Sequence, residues 1–339
     1  MDPVLDLERE GRGSIAMADI VSIGELLIDF TPYGMSEFDQ PLYERNPGGA
    51  PANVLAALAK LGSSTEFIGK VGDDAFGREL AEILNGGGIG ISGLARTEKA
   101  RTTLAFVHLD HQGDRSFSFY RNPGADQLLE PYEVPLDMIA RSKVFHFGSV
   151  SMSAEPSRSA TLSAVRYAKE QGIVVSYDPN LRPALWNSAD EAREWILEGM
   201  KYSDIVKVSK EELEFLTGTE DLDQGSRMLA ERYGVSLLLV TLGGQGSYCR
   251  CGSVTAAVSG FPVKVVDTTG AGDGFMAGAI YTVLSKGLAL SSCKQEEIEE
   301  LLRFANAVGA LATTRKGGIP AMPSLEEVLA LKSSRNEPL

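Results

Sequence analysis

The stretch from Phe261 to Gly278, F-P-V-K-V-V-D-T-T-G-A-G-D-G-F-M-A-G, constrains the fold more than any other part of the chain. Its first half contains a β-branched run, Val263 to Val266, which predicts a short buried strand. Its second half is rich in glycine and then becomes apolar, which predicts a tight turn that opens into a helix. Backbone N–H groups at such a helix start point outward and can bind phosphate-like anions.

An acid stands inside this predicted anion site, because Asp273 directly follows Gly270, Ala271 and Gly272. A carboxylate competes with a bound anion unless it acts as a base while the amides stabilise the charge that develops beside it. The pattern is neither a Walker loop, which ends in lysine followed by Ser or Thr, nor a dinucleotide fingerprint, which needs a third glycine. From this stretch alone, a glycine-rich turn that binds nothing remains an open alternative.

Composition excludes several classes of partner. A net charge of −14 argues against a nucleic-acid binder, which needs a basic surface. No apolar run of about 18 residues occurs, so no membrane span is expected. Three cysteines (Cys249, Cys251 and Cys293) indicate reduced thiols in a cytoplasmic protein rather than a metal site. Residues 1–17 are charged and lack the apolar core of a signal peptide, which predicts a disordered leader or tag.

Strands and helices alternate along most of the chain. This rhythm predicts one α/β domain over residues 18–335, with a mostly parallel central sheet between two layers of helices. A single strand is expected over Asp19 to Phe30. Residues 102–120, which alternate like a hairpin around His111, and the irregular segment 31–46 are expected to form a small β-sheet lid. Ligands bind at the carboxyl ends of parallel strands, where Asp29, Asp178 and the 270–273 turn are expected to meet.

Two further motifs accompany the opening stretch. The first is Gly48-Gly49-Ala50-Pro51-Ala52-Asn53, followed later by Gly69-Lys70-Val71-Gly72-Asp73-Asp74; the second is Asp267-Thr268-Thr269-Gly270-Ala271-Gly272-Asp273. With these motifs the chain, from Ile20 to about Ser324, resembles the PfkB (ribokinase-like) family of sugar kinases and is most similar to its fructokinases. The resemblance implies a ribokinase-like three-layer α/β/α fold. It also implies that ATP phosphorylates a sugar hydroxyl, converting D-fructose to fructose 6-phosphate.

The resemblance gives roles to individual residues. Asp273 would be the base, and Gly270, Ala271 and Gly272 would form the anion hole. The matching sugar-binding positions are Asp29, Gly48, Gly49, Asn53, Phe119, Arg121, Arg182 and Asp273 itself. The matching nucleotide positions are Thr241, Gly243, Gly246, Gly272 and Asn306.

Metal ions form a second group of implied ligands. The family's Asn-x-x-Glu motif, tied to Mg²⁺ and the phosphates, falls on Ser209 and Glu212, with serine in place of asparagine. The positions that match a K⁺ site in relatives are Asp267, Thr269, Ala312, Arg315 and Gly317. Ala321 replaces a serine ligand of ribokinases. The resemblance thus implies ATP, Mg²⁺ and K⁺, and also a homodimer formed through the lid.

The identity of the sugar stays open at this level. Kinases of 2-keto-3-deoxygluconate share the D-P-N-L-R sequence found at 178–182 and use arginines to bind a carboxylate, a task that Arg121 and Arg182 could serve. Phe119 stands where those kinases often have a tyrosine, which favours a neutral hexose. A third alternative is a non-catalytic, sugar-binding regulatory protein. The intact Asp273 and glycine turn argue against it.

Overall fold

The computed structural model describes residues 17–109 and 115–334. Residues 1–16 of the predicted leader 1–17, and the prediction for His111, therefore lie outside the described residues. The strands are β1 (Ala18–Ile23), β2 (Leu27–Met35), β3 (Pro41–Gly48), β4 (Thr65–Gly72), β5 (Ile89–Thr97), β6 (Leu104–Leu109), β7 (Arg115–Tyr120), β8 (Ser142–Gly148), β9 (Val174–Asp178), β10 (Ile205–Ser209), β11 (Leu237–Thr241), β12 (Ser247–Cys251) and β13 (Val254–Val258).

The helices cover both faces of the larger sheet. They are α1 (Ala50–Lys60), α2 (Ala75–Gly86), α3 (Leu136–Ala140), α4 (Ser157–Glu170), α5 (Ala189–Met200), α6 (Lys210–Thr217), α7 (Leu222–Tyr233), α8 (Ala271–Lys286), α9 (Gln295–Ala312) and α10 (Leu325–Ser334). None of the helices within the described residues combines the length and the apolar character that a bilayer crossing requires.

The large sheet has nine strands within the described part of the chain, in the order β13-β12-β11-β10-β9-β8-β1-β4-β5. From β5 at one edge to β11, all neighbouring strands in this order are parallel. Strand β12 pairs with β11 in an antiparallel way, and so does β13 with β12. Successive strand residues pack on opposite faces: Ile20 lies in the core beneath α1, α8 and α9, whereas Val21 lies in the core beneath α4 and α5. This arrangement confirms the predicted three-layer fold with a mostly parallel sheet.

A second sheet of four strands has the order β3-β2-β6-β7. It confirms the small separate sheet, and it corrects two predictions. The chain does not form one strand from 19 to 30, because residues 24–26 leave the large sheet and β2 begins the small one. The segment 31–46 is not irregular but forms most of the β2–β3 hairpin, which tolerates Pro32 and Gly34 at a bulge.

Three elements escaped the sequence analysis, and one predicted strand is wrong. Strand β5 and helices α3 and α7 were not expected. Residues 263–266 form no strand, and Val265 and Val266 are more than half exposed. The physical reason is their position: Val263 and Val265 line a cavity, and the Val266 amide donates to the Thr313 carbonyl instead of to a sheet.

Candidate active site

The turn before α8 is built to present backbone amides. Gly270 stands immediately before the helix with φ 77°, a left-handed conformation that favours glycine. A side chain there would also collide with Met322, because a Cβ on Gly270 would lie 2.9 Å from its Cε. The first amides of α8 have no partner inside the helix, and the helix dipole adds positive potential. The structure therefore contains the predicted glycine turn at a helix start, and we call the amides of residues 270–273 the nest, because they are placed where an anion could bind.

Asp273 lies in the first turn of α8 and is buried. Its Oδ2 accepts a hydrogen bond of 2.8 Å from Asn53 Nδ2, across 220 residues of sequence. Burial raises the pKa of Asp273 to about 6, and the negative charge of Asp178 adds to this; the Asn53 hydrogen bond, Lys207 and Arg182 oppose it. A carboxylate with this pKa is ionised at neutral pH and is a better proton acceptor than an exposed aspartate.

Asn53 reaches Asp273 because α1 starts in close contact with the end of β1. The Ala50 amide donates to Glu25 Oε1 at 3.0 Å, which caps the helix start. Gly49 has φ 120°, and a Cβ there would lie 2.3 Å from the Glu25 carbonyl oxygen. The glycines of the Gly48–Asn53 motif thus allow a backbone approach that larger residues would block.

A cavity of about 310 Å³ opens in front of Asp273. It brings together residues from both sheets. The residues predicted to act here that line it are Asp29, Gly49, Asn53, Phe119, Arg182, Thr269, Gly270, Gly272 and Asp273. Gly48 stands just behind Asp29, where a Cβ would lie 2.4 Å from Asp29 Oδ2. Burial raises the pKa of Asp29 to about 7, while Arg182 opposes this rise. We call this space the first cavity.

A second cavity of about 410 Å³ lies on the other side of the nest. Apolar residues dominate its wall, including Phe261, Val263 and Phe275. The predicted nucleotide positions that line it are Thr241, Gly243, Gly246, Gly272 and Asn306, together with Ala271. Thr268 and Gly272 line both cavities. The nest therefore stands between two compartments, which is the arrangement that a group transfer between two ligands requires.

Asn306 stabilises the wall of the second cavity through hydrogen bonds. Its Nδ2 donates to the carbonyl oxygens of Val258 at 3.1 Å and Ser259 at 3.4 Å. These bonds fix the segment that leads from β13 into residues 261–266. Asn306 thus holds the loop whose apolar side chains line the cavity.

Lys207 is a site residue that the sequence analysis missed. It lines the first cavity from the middle of β10, and both oxygens of Asp178 accept from its Nζ, at 2.9 and 3.1 Å. A Cβ on Gly272 would lie 2.9 Å from the same Nζ, so the ammonium lies against the nest. The available signal was a lysine inside the apolar run I-V-K-V of a buried strand. Glu25 and Val150 also line this cavity and had received no predicted role in the site.

Ser209 and Glu212 form a capping box at the start of α6. Glu212 Oε2 accepts from the Ser209 amide at 2.7 Å, and Oε1 accepts from the Leu181 amide at 2.7 Å. Neither residue lines either cavity, and within the described residues no cluster of three or more His, Cys, Asp or Glu could hold a metal ion. This donor set does not fit direct coordination of Mg²⁺ by the protein.

The predicted K⁺ positions surround the back of the nest. Asp267 is buried, and its two oxygens accept from the amides of Thr269 at 2.8 Å and Gly317 at 3.0 Å, which ties two loops together. Ala312 ends α9 beside them, and the Arg315 side chain turns away to pair with Glu327. Carbonyl and carboxylate oxygens suit a hard cation. Ala321 is fully buried and offers no hydroxyl.

Arg121, which was predicted to contact the sugar, does not line the first cavity in the structure. It pairs with Asp126 at 2.7 Å, and both side chains are almost fully buried. Its Nη1 also donates to Ser153 Oγ at 2.9 Å. These bonds occupy the guanidinium in a structural network. Arg182, by contrast, lines the first cavity.

Comparison with known proteins agrees with this geometry. The family model described as pfkB family carbohydrate kinase matches residues 17–325. The chain belongs to the pfkB family. As a pfkB-family member it is a carbohydrate kinase, and its similarity to solved kinase structures confirms the predicted ribokinase-like fold.

Individual pfkB-family proteins are similar over nearly the whole chain. Fructokinase-1 of Oryza sativa subsp. japonica is 48% identical over 317 residues, which cover 93% of this chain and 98% of that protein. The crystal structure of a fructokinase with bound ATP from Xylella fastidiosa has a TM-score of 0.87 and 36% identity, and covers 94% of this chain and 100% of its own. A fructokinase double mutant from Vibrio cholerae, in a form with fructose, ADP and potassium ion bound, has a TM-score of 0.83 and 35% identity, covering 93% and 98%.

Proposed function

We propose that this chain transfers the γ-phosphoryl group of ATP to D-fructose and releases fructose 6-phosphate and ADP. The observation that carries the proposal is the position of Asp273, a buried carboxylate at a nest of amides that separates two cavities. The similarity to fructokinases over more than nine-tenths of the chain supports fructose as the acceptor.

In the proposed reaction, the sugar hydroxyl gives its proton to the Asp273 carboxylate. The hydroxyl oxygen forms a bond to the γ-phosphorus, and the bond between that phosphorus and the β–γ bridging oxygen breaks. The electron pair of the broken bond stays on the β-phosphate of ADP. Phosphoryl transfer depends mainly on positioning and on charge stabilisation, so the amides of residues 270–273 and the Lys207 ammonium support the developing negative charge.

We assign the first cavity to the sugar and the second to the nucleotide. Asp29 and Asn53 would bind hydroxyl groups, Phe119 would pack against the carbon skeleton, and the backbone at Gly48 and Gly49 allows the sugar to approach closely. Thr241, Gly243 and Gly246 would contact the nucleotide, and Asn306 would shape its pocket. The apolar wall of the second cavity suits a flat base.

The metal ions enter the proposal in different ways. Mg²⁺ would arrive on the phosphates of ATP and keep several waters, while Ser209 and Glu212 hold the loop nearby. K⁺ would be held by oxygens of Asp267, Thr269, Ala312, Arg315 and Gly317, where it adds positive charge behind the nest.

A kinase of 2-keto-3-deoxygluconate is the competing candidate, because Arg182 lines the first cavity and could bind a carboxylate. The buried pairing of Arg121 weakens that candidate, since one of its two expected arginines is occupied. Measuring ADP release with a panel of hexoses and 2-keto-3-deoxygluconate, with and without K⁺, decides between them. Fructose should give the highest kcat/KM; a far higher value for the keto-deoxy acid would overturn the proposal. If no compound of the panel stimulated ADP release, the result would favour a non-catalytic binding protein.

The small sheet has two proposed tasks. It would close over the first cavity as a lid, which keeps water from competing as phosphoryl acceptor. It would also form a homodimer, because it exposes a group of large apolar side chains, namely Tyr33, Met35, Phe38, Leu42 and Tyr43.

A further inference from the structure

The Lys207 ammonium is the element of the site whose placement needs an explanation. Strand β10 pairs in parallel with β9, which sets Lys207 beside Asp178 at the end of that strand. The exposed fractions of the two side chains are 7% and 2%. Burial alone would lower the pKa of Lys207, but the charges of Asp178, Glu212 and Asp273 together raise it. The lysine therefore stays charged and needs an anionic partner.

The carboxylates of Asp178, Glu212 and Asp273 attract this ammonium, and they differ in how many further hydrogen bonds each can accept. Glu212 uses one oxygen for the Leu181 amide and the other for the Ser209 amide. Asp273 accepts a single hydrogen bond from Asn53. Asp178 binds Lys207 with both oxygens. If Asp178 lost its charge, Asp273 would be the carboxylate of this group best able to take the ammonium.

We propose that Asp178 is a positioning residue that holds Lys207 in an ion pair and thereby keeps the ammonium from pairing with Asp273. This inference rests on the proposed function, because it assumes that Asp273 is the base. The pair leaves the Asp273 carboxylate available for the sugar hydroxyl proton. It also keeps the ammonium against the nest, where the transferred phosphoryl group would lie.

The charges around Asp273 fix the sign of the expected effect. Several charged groups face Asp273, namely Asp29 from β2, Asp178 from β9, Arg182 from the loop after β9, and Lys207 from β10; Asn53 of α1 is the neutral hydrogen-bond donor. Replacing Asp178 by Asn removes a negative charge and releases the ammonium toward Asp273. Both changes favour the ionised form of Asp273, so the group loses its proton at lower pH and becomes a weaker base.

The test compares the pH dependence of kcat and kcat/KM in the parent and in Asp178→Asn, with the best sugar of the panel and saturating ATP. We expect the acid limb of kcat/KM to move to lower pH by about one unit, and kcat at pH 8 to fall about 10-fold. The double variant Asp178→Asn/Lys207→Met should return the acid limb toward the parent's position, because the competing ammonium is gone. Circular dichroism and Tm check that each variant is folded.

An acid limb that stays in place or moves to higher pH in folded Asp178→Asn overturns the proposal. So does a double variant whose limb stays as low as that of the single variant. If Asp178→Asn does not fold, Lys207→Met replaces it in the test, because this variant removes a positive charge near Asp273 instead of a negative one. The acid limb of kcat/KM in Lys207→Met should move to higher pH, and an unmoved limb overturns the proposal. A parent that prefers another sugar contradicts the fructose assignment alone, since the pH test runs with whichever sugar is used.

Discussion

Asp29 and Asp273 occupy the first cavity with pKa values well above those of exposed aspartates. Desolvation is the main cause for both; the charges of Asp273 and Asp267 add to the rise at Asp29, and the charge of Asp178 adds to the rise at Asp273. Two acids that are kept close together in a cavity disfavour the ionised state. The arrangement suits a site in which one acid binds hydroxyl groups while the other accepts a proton.

Activity should fall in mild acid because Asp273 must be ionised to accept the proton. Its pKa of about 6 places the acid limb of kcat/KM near pH 6, higher than an exposed aspartate would give. The measurement is kcat/KM for fructose between pH 5 and 9 at constant ionic strength. An acid limb below pH 5 would show that the pKa of Asp273 is not raised to about 6.

Replacing Asp29 by Asn should separate binding from stability. Loss of charge-assisted hydrogen bonds should raise the sugar KM by about 10-fold or more, with the KM for ATP unchanged.

The same variant tests stability. The folded-state pKa of Asp29, about 7, exceeds the unfolded one, so ionisation of the Asp29 carboxylate lowers the free energy of unfolding as pH rises through 7 and has least effect in acid. Asp29→Asn should therefore be more stable than the parent at pH 8, by on the order of 1 kcal/mol because the side chain is partly exposed, and this gain should vanish near pH 4. Urea unfolding at both pH values gives the answer; an unchanged sugar KM would refute the binding role.

At the scale of elements, the sequence predicted the segments whose residues have strong local conformational preferences. The glycine turn before α8 and the Gly49 start of α1 were predicted because helix starts carry recognisable residues. The strand predicted at 263–266 is wrong because Val263 and Val265 line a cavity, and the sequence pattern does not distinguish valines at a cavity from valines in a core. Strand β5 was missed because glycines weaken its pattern, although Gly90 and Gly93 are needed for close contact with β4.

Adding a methyl group in the nest should reduce turnover without unfolding the protein. A Cβ at Gly272 would meet the flexible end of Lys207 at 2.9 Å, so the lysine moves and α8 stays in place. Gly272→Ala should lower kcat about 10-fold or more, with Tm nearly unchanged. Gly86→Ala in α2 is the matched control, since its Cβ would meet nothing within 4 Å. Equal activity of both variants would argue against a role of the nest in turnover.

At the scale of the molecule, the parallel sheet explains why so much of the site was predictable. Residues at strand ends gather at one edge, so Asp29, the 270–273 turn and the Thr241–Gly246 region could be expected together. The Asn53–Asp273 bond and the Lys207–Asp178 pair could not, because long-range side-chain pairing leaves no local pattern. The buried Arg121–Asp126 pair could not be foreseen for the same reason.

The exposed face of the small sheet gives a prediction about assembly. Phe38 is 75% exposed and Tyr33 is 61% exposed, so a dimer through this face should depend on them. Light scattering after size-exclusion chromatography should show a dimer for the parent and a smaller species for Tyr33→Ser/Phe38→Ser. Exposed Met228 in α7 is the matched control, and Met228→Ser should leave the mass unchanged. A parent that is a monomer at high concentration would exclude this dimer.

The most direct measurement of the account is turnover of Asp273→Asn. Asparagine keeps the size of the side chain and can still bond to Asn53, but it accepts no proton. We expect kcat with fructose and ATP to fall by roughly two orders of magnitude or more, while calorimetry shows that fructose and an ATP analogue still bind. Near-parental kcat in this variant would contradict the account, because the base would then lie elsewhere.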